Sequence, residues 1–306
     1  MPFSDVRDYQ IAILSTFLFL GVYTRDWTLH LPWVALTIAT CVLTQWLFSL
    51  TLHQRQKTLE LSTKISDQKP AQTTLKTKDI LISGLRSSLI TALGLSLLLR
   101  TNHPGVLMLA GCLAIASKFL LRYQDKHFFN PANFGIISVL LLTNNAWVSP
   151  GQWGTDWWYL LLFFSAAGLI LNKVGRWDTS IAFLASYGGL EILRNFWLGW
   201  SWDVVAHQLT SGSLLIFAFF MVTDPRSIPN AKKGRIFWAI SIALLTFILQ
   251  HGIYSSTAIF WALFILSPST IIIDKIWKAS RFNWQQESIQ LLQIDITLAN
   301  NPLNVV

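Results

Sequence analysis

Two short stretches of the 306-residue chain hold the residues best placed to do chemistry. In the first, Asn130 and Pro131 open an apolar run that ends at Leu142. Asparagine is a favoured N-cap, and proline fits the first helical position. In the second, Ser211, Gly212 and Ser213 open a run to Val222 that closes on Thr223-Asp224-Pro225. At ~1.5 Å per residue each helix reaches only about 15–18 Å, against a bilayer hydrocarbon core of ~30 Å. Helix starts expose free N–H groups and partial positive charge. The two run in opposite directions, so both starts are expected to point toward the midplane. Paired short segments of this kind point to a midplane binding site. They suit an anionic or acceptor-rich ligand: a phosphate, a carboxylate or a flavin ring with its carbonyls. The alternative is a pair of buried loops whose polar groups are satisfied by protein alone.

Few other residues are poised for reaction. Within apolar runs the charges are Arg86 and Glu191. Intramembrane charges are functional candidates by default. Arg86, however, is near enough to one end of its run to snorkel, and Glu191 stands three residues before Arg194, a helix-face pair. Asp224 follows the second short run and precedes Pro225, where it can orient the turn or bind a cation or a ligand N–H. Cys41 and Cys112 lie in separate runs with no CxxC spacing, so both read as packing thiols and neither metal cluster nor disulfide framework is expected.

The elements that position these residues are membrane helices. The chain is 53% hydrophobic and 12% charged, about half the charge of a soluble domain. Ten apolar segments are read, near Tyr9–Tyr23, Leu29–Leu52, Ile80–Leu99, Val106–Leu120, Pro131–Leu142, Trp157–Leu171, Ser180–Leu193, Ser213–Val222, Phe237–Leu249 and Ser256–Ile273. Their apolar runs are continuous, which disfavours a β-barrel. With the N-terminus in the cytoplasm, 19 of the 23 Lys and Arg fall inside. Outside fall Arg25, Arg100 and Arg194. This is the positive-inside pattern, and it accounts for the net charge of +8 without nucleic acid. Both termini are expected in the cytoplasm, and the first segment is expected to stay uncleaved. The whole chain, 1–306, reads as a single membrane domain. Residues 51–79 read as a flexible cytoplasmic linker, and 279–306 as a cytoplasmic or interfacial tail. Trp147, Trp153, Trp157, Trp158, Trp197, Trp200 and Trp202 crowd the outer loops. They form an aromatic belt or a stacking surface for a flat ligand.

The motifs in these segments resemble a known family. Lys118, followed by His127-Phe128-Phe129-Asn130-Pro131-Ala132-Asn133-Phe134-Gly135, is similar to the "K…FNPA" region of RnfD/NqrB proteins. Those are membrane subunits of Rnf-type electron-transport complexes and of sodium-pumping NADH:quinone reductase. The run from Leu209 to Pro225, ending Ala218-Phe219-Phe220-Met221-Val222-Thr223-Asp224-Pro225, resembles the family's "LSGG…AFFMATDP". Leu89-Ile90-Thr91-Ala92-Leu93 resembles its "LLTAL". The resemblance runs from about Ser83 to Ser269.

The resemblance implies an all-α fold of ten spanning segments with inverted repeats and two half-helices, in the inner (cytoplasmic) membrane. It implies a role in flavin-dependent transmembrane electron transfer, coupled to ion transport and assembled with partner subunits. The cofactor-binding residues it points to are Lys118, Phe129, Asn130, Pro131, Asn133, Ser211, Gly212, Ser213, Thr223 and Asp224. Members with covalent FMN carry "SGAT" after the first half-helix. Here the loop from Asn144 to Asp156 lacks it, and Thr155 is followed by Asp156. The expected cofactor is therefore a non-covalent FMN or riboflavin. A solute permease or channel of the related urea-transporter-like fold, or a cofactor-free assembly subunit, are the competing readings.

Overall fold

The computed structural model describes residues 5–25, 29–63, 77–124, 126–149 and 157–282, with side chains described except at 25, 52–63, 77–83, 157 and 158. The fold is helical. The first five helices are α1 (Val6–Arg25), α2 (Leu31–Thr63), α3 (Thr77–Leu98), α4 (Pro104–Leu120) and α5 (Pro131–Leu142). Then follow α6 (Trp157–Val174), α7 (Trp177–Leu198), α8 (Trp202–Leu209) and α9 (Gly212–Ile216), which runs on as a π-helical turn, Phe217–Met221. The chain closes with α10 (Lys232–Gly252), α11 (Ala258–Leu266) and α12 (Ser269–Ile276). Two small antiparallel ribbons tie loops down. β1 (Leu99–Thr101) pairs with β4 (Ala146–Val148), and β2 (Arg122–Tyr123) with β3 (Lys126–His127).

Every apolar run read from the sequence is helical, with three differences. The stretch read as the outer loop 194–210 contains α8, bent by 46° from the segment that follows. Its eight residues carry Asp203 and His207, so no continuous apolar run announces it. The tenth segment is broken into α11 and α12, which are bent by 52° at Ser267-Pro268. Proline has no N–H to continue the ladder. Finally, α2 and α3 both extend into the stretch read as linker, leaving 64–76 outside the described residues. The tail beyond 282 is likewise outside them.

Two helical spans, Leu31–Thr51 and Lys232–Gly252, are long and apolar enough to cross a membrane, and four if each bent pair counts as one. The outward surface supports a membrane setting more broadly. Phe19, Leu47, Leu141, Leu161, Leu169 and Leu193 are all more than half exposed. Water would leave so wide an apolar surface unfavourably hydrated. Of the outer tryptophans, Trp147, Trp197, Trp200 and Trp202 are exposed, as a belt requires; the side chains of Trp153, Trp157 and Trp158 lie outside the described residues.

The buried charges are paired across helices. Arg86 grips Asp8 through two bonds, Nε–Oδ1 at 2.7 Å and Nη2–Oδ2 at 2.9 Å, and adds Asp5 at 3.3 Å. It therefore ties α3 to α1 rather than snorkelling. Asp178 at the start of α7 meets Arg235 at the start of α10 at 2.8 Å. Glu191 does not pair with Arg194 as expected. Its Oε1 lies 2.7 Å from Nε2 of His251 on α10, while Arg194 sits over the Trp200 ring at 4.7 Å. Cys41 is buried and Cys112 half-buried, both as free thiols.

Packing is tightest where α5 meets α4. A Cβ added at Gly135 would fall 2.6 Å from the Ala110 carbonyl oxygen and 2.9 Å from the Ala114 Cβ. Small residues allow this backbone approach between membrane helices. Gly135→Ala should lower stability by about 1–3 kcal/mol, read as a lower unfolding temperature in detergent. Gly105→Ala, where an added Cβ meets nothing within 4 Å, should not.

Candidate functional site

The first half-helix begins as its sequence dictates. Asn130 is extended (φ −66°, ψ 124°), and its Oδ1 accepts the Asn133 N–H at 3.1 Å, an N-cap bond with Pro131 next in line. The rest of the Asn130 amide reaches elsewhere, for Nδ2 donates to the Met221 carbonyl at 3.3 Å. Met221 ends the π-helical turn, where carbonyls lack helical partners. Side chains supply them. The Ser180 hydroxyl donates to Ala218 O at 2.6 Å, and Thr223 Oγ1 to Phe219 O at 2.7 Å.

The start of α5 therefore meets the end of the second short segment. The two N-termini expected to face each other do not share a cavity. Ser211, Gly212 and Ser213 sit at the far end, roughly 13 Å along the helix from Met221. Ser211 occupies the N-cap without a side-chain capping bond, its hydroxyl 3.0 Å from that of Ser213.

A cleft of about 90 Å³ opens at this junction. Of the residues singled out from the sequence, Lys118, Asn130, Pro131, Thr223 and Asp224 line it. Phe129 instead packs with Phe128, Phe134 and Phe264, ring centroids about 5 Å apart. Asn133 is fully buried and donates Nδ2 to Phe260 O at 3.1 Å, tying α5 to α11. Its Oδ1 has no hydrogen-bond partner among the described residues. Arg7, His127 and Arg226 also line the cleft and were not anticipated. His127 and Arg226 stand within three residues of Asn130 and Asp224, a proximity that could have marked them. Arg7 comes from the far end of the chain and gives no such signal.

The cleft is cationic around one carboxylate. Lys118 is 5% exposed, with Nζ donating to Ser87 O and Oγ at 3.1 Å each. An ammonium has three N–H donors, so one remains beyond these two bonds. Asp224 accepts the Arg226 N–H at 3.2 Å and lies 3.9 Å from His127 Nε2. Burial alone would raise the Asp224 carboxyl. His127, the Arg226 N–H and the Ser227 hydroxyl outweigh it and hold the group below the usual carboxylate range. Burial pushes His127 down, against the pull of Asp224. Among the described residues no group of three His, Cys, Asp or Glu could hold a metal ion.

The fold and cleft are those of a helical membrane protein with a charged junction between two interrupted segments. A family profile described as "NQR2, RnfD, RnfE family" matches residues 141–283, and the resemblance read from the motifs stands. The matched part includes Thr223-Asp224-Pro225 and begins after Lys118 and Asn130. Three relatives are each named as the RnfD-type component of an ion-translocating oxidoreductase complex. That of Stutzerimonas stutzeri is 27% identical over 122 residues, 38% of this chain and 33% of its own. That of Haemophilus influenzae is 32% identical over 108 residues, 33% and 30%. That of Pseudomonas aeruginosa is 26% identical over 117 residues, 37% and 33%. The matched stretch thus spans about a third of the length of each relative.

The His127 environment sets a pH response. An unfolded histidine takes up a proton below about pH 6.5, while the folded one resists it. The unfolded chain then binds more protons, so stability falls as pH drops below about 6.5. The Asp224 contribution is lost at lower pH, as the solution passes its depressed folded value. His127→Gln should flatten the slope just below pH ~6.5 in a plot of unfolding temperature against pH. An unchanged slope would assign it to another group.

Proposed function

We propose that this chain is an RnfD/NqrB-like subunit of an electron-transport complex in the cytoplasmic membrane. Ten segments cross or enter the membrane, both termini face the cytoplasm, and partner subunits complete the complex. What supports this reading is one observation. The motif residues Lys118, Asn130, Thr223 and Asp224 come from two separate segments and line one buried cationic cleft, in a chain that resembles the RnfD-type component of ion-translocating oxidoreductase complexes.

The donor set suits a non-covalent flavin. Lys118 offers a buried positive charge and a further N–H, Thr223 and Asn130 are polar lining groups, and Phe219 and Phe220 add aromatic wall. A flavin bound there supplies the one- and two-electron chemistry that side chains lack. In a cleft that excludes most water, the Lys118 charge stabilises negative charge on a ligand far more than it would at the surface. Asp224 stays ionised and keeps the cleft close to neutral when no anion is bound. Arg226 and Arg7 complete the cationic rim. Thr155, the residue nearest in place to the family's attachment threonine, lies outside the described residues.

Gentle extraction of the full chain in mild detergent should yield a flavin absorption spectrum. Lys118→Gln should remove most of that absorbance while the circular dichroism stays helical. A denaturing gel under ultraviolet light should show no fluorescent band. Protein free of flavin under these conditions would remove the reading's main support. Urea flux above that of empty liposomes would favour a permease instead.

A further inference from the structure

A second cavity, of about 310 Å³, lies between the β2–β3 hairpin and the end of α12. We propose that it binds a phosphate group, carried either by an anionic phospholipid or by a small soluble phosphate. Its walls hold four cations, Lys126, Lys275, Lys278 and Arg281, and one described acid, Asp274. Asp274 is already saturated. Its oxygens accept from Lys126 Nζ at 2.6 Å, from the Asn230 N–H at 2.7 Å and from Asn230 Nδ2 at 2.9 Å. Lys126 and Asp274 thus neutralise each other in a mostly buried pair. Lys275, Lys278 and Arg281 keep their charge with no further acid among the described lining residues; Asp125, in the hairpin turn, lies outside the described residues.

The pocket's frame is fixed. Gln124 takes a left-handed backbone (φ 48°), as a two-residue hairpin turn requires. Arg281 clamps that turn, donating to the Gln124 carbonyl and, at 2.7 Å, to its Oε1. Guanidinium carries five N–H donors, so the clamp leaves others for an anion. Lys275 is held over the Tyr123 ring at 5.3 Å. The cavity is therefore a preformed basic concavity with an aromatic wall, and its charge excludes a cation as ligand.

Its flank distinguishes it from a simple basic patch. Ile272 and Ile276, one turn apart on α12, are 61% and 64% exposed. Exposed apolar side chains beside clustered lysines match a headgroup in the pocket with acyl chains on the helix. A free phosphate would use the same cations and ignore the isoleucines.

The test uses the full chain, delipidated in neutral detergent, with unfolding temperature as readout. Phosphatidylglycerol should raise it and phosphatidylcholine should not. Lys275→Gln with Lys278→Gln, two exposed positions where folding is retained, should weaken the phosphatidylglycerol response roughly 30-fold in concentration. Lys232→Gln with Lys233→Gln, on another basic stretch, should leave it intact. If inorganic phosphate at matched ionic strength reproduces the shift, with the same variant dependence, the site holds and its ligand is soluble. The proposal is overturned if neither additive shifts the protein. It is also overturned if the Lys275/Lys278 variant responds like the wild type, or if both double variants lose the response alike.

Discussion

A helix that stops inside an apolar slab leaves backbone groups with no water to receive them, and that constraint organises this protein. Asn130 meets it twice with one side chain. Its oxygen caps the first N–H groups of α5, and its nitrogen bonds the Met221 carbonyl at the end of the opposing segment. Ser180 and Thr223 treat the neighbouring carbonyls in the same way. Each unsatisfied group would cost several kcal/mol in hydrocarbon. Interrupted segments are therefore stable only where they meet each other, and where they meet is where the charged cleft lies.

The rest of the structure keeps that junction in register. α5 is pressed on α4 through Gly135 and tied to α11 through Asn133. Ion pairs act at helix ends. Arg86 joins α3 to α1, Asp178 joins α7 to Arg235 of α10, and Glu191 joins α7 to His251 further along the same helices. Breaking a buried pair strands a charge, which costs more than the pair contributes. These pairs fix which helices neighbour one another as well as how strongly they hold.

The sequence made some of this legible and hid the rest for physical reasons. The bounds of α5 were readable because Asn-Pro starts a helix by local chemistry. The short run after Ser213 was readable because ten apolar residues stand between polar ones. The eight residues of α8 were not, because an amphipathic turn in a tryptophan-rich loop lacks a run to count. The partner of Glu191 was misread because helix spacing offered Arg194, and only tertiary packing could offer His251. The cleft was half legible: motif spacing marked Lys118, Asn130 and Asp224. It could not say that the end of the second segment, not its start, faces Asn130. Nor could it bring in Arg7, which reaches the cleft only because α1 packs on α3.

The π-helical turn at Phe217–Met221 also has a meaning for the chain's length. Such a turn holds one residue more than an α-helical turn of the same span. A one-residue deletion there would leave a regular α-helix, locally unstrained. It would also rotate everything downstream by about 100°, carrying Thr223 and Asp224 away from Lys118. The extra residue thus works as a phase setter, and the cleft depends on an insertion that hydropathy cannot see.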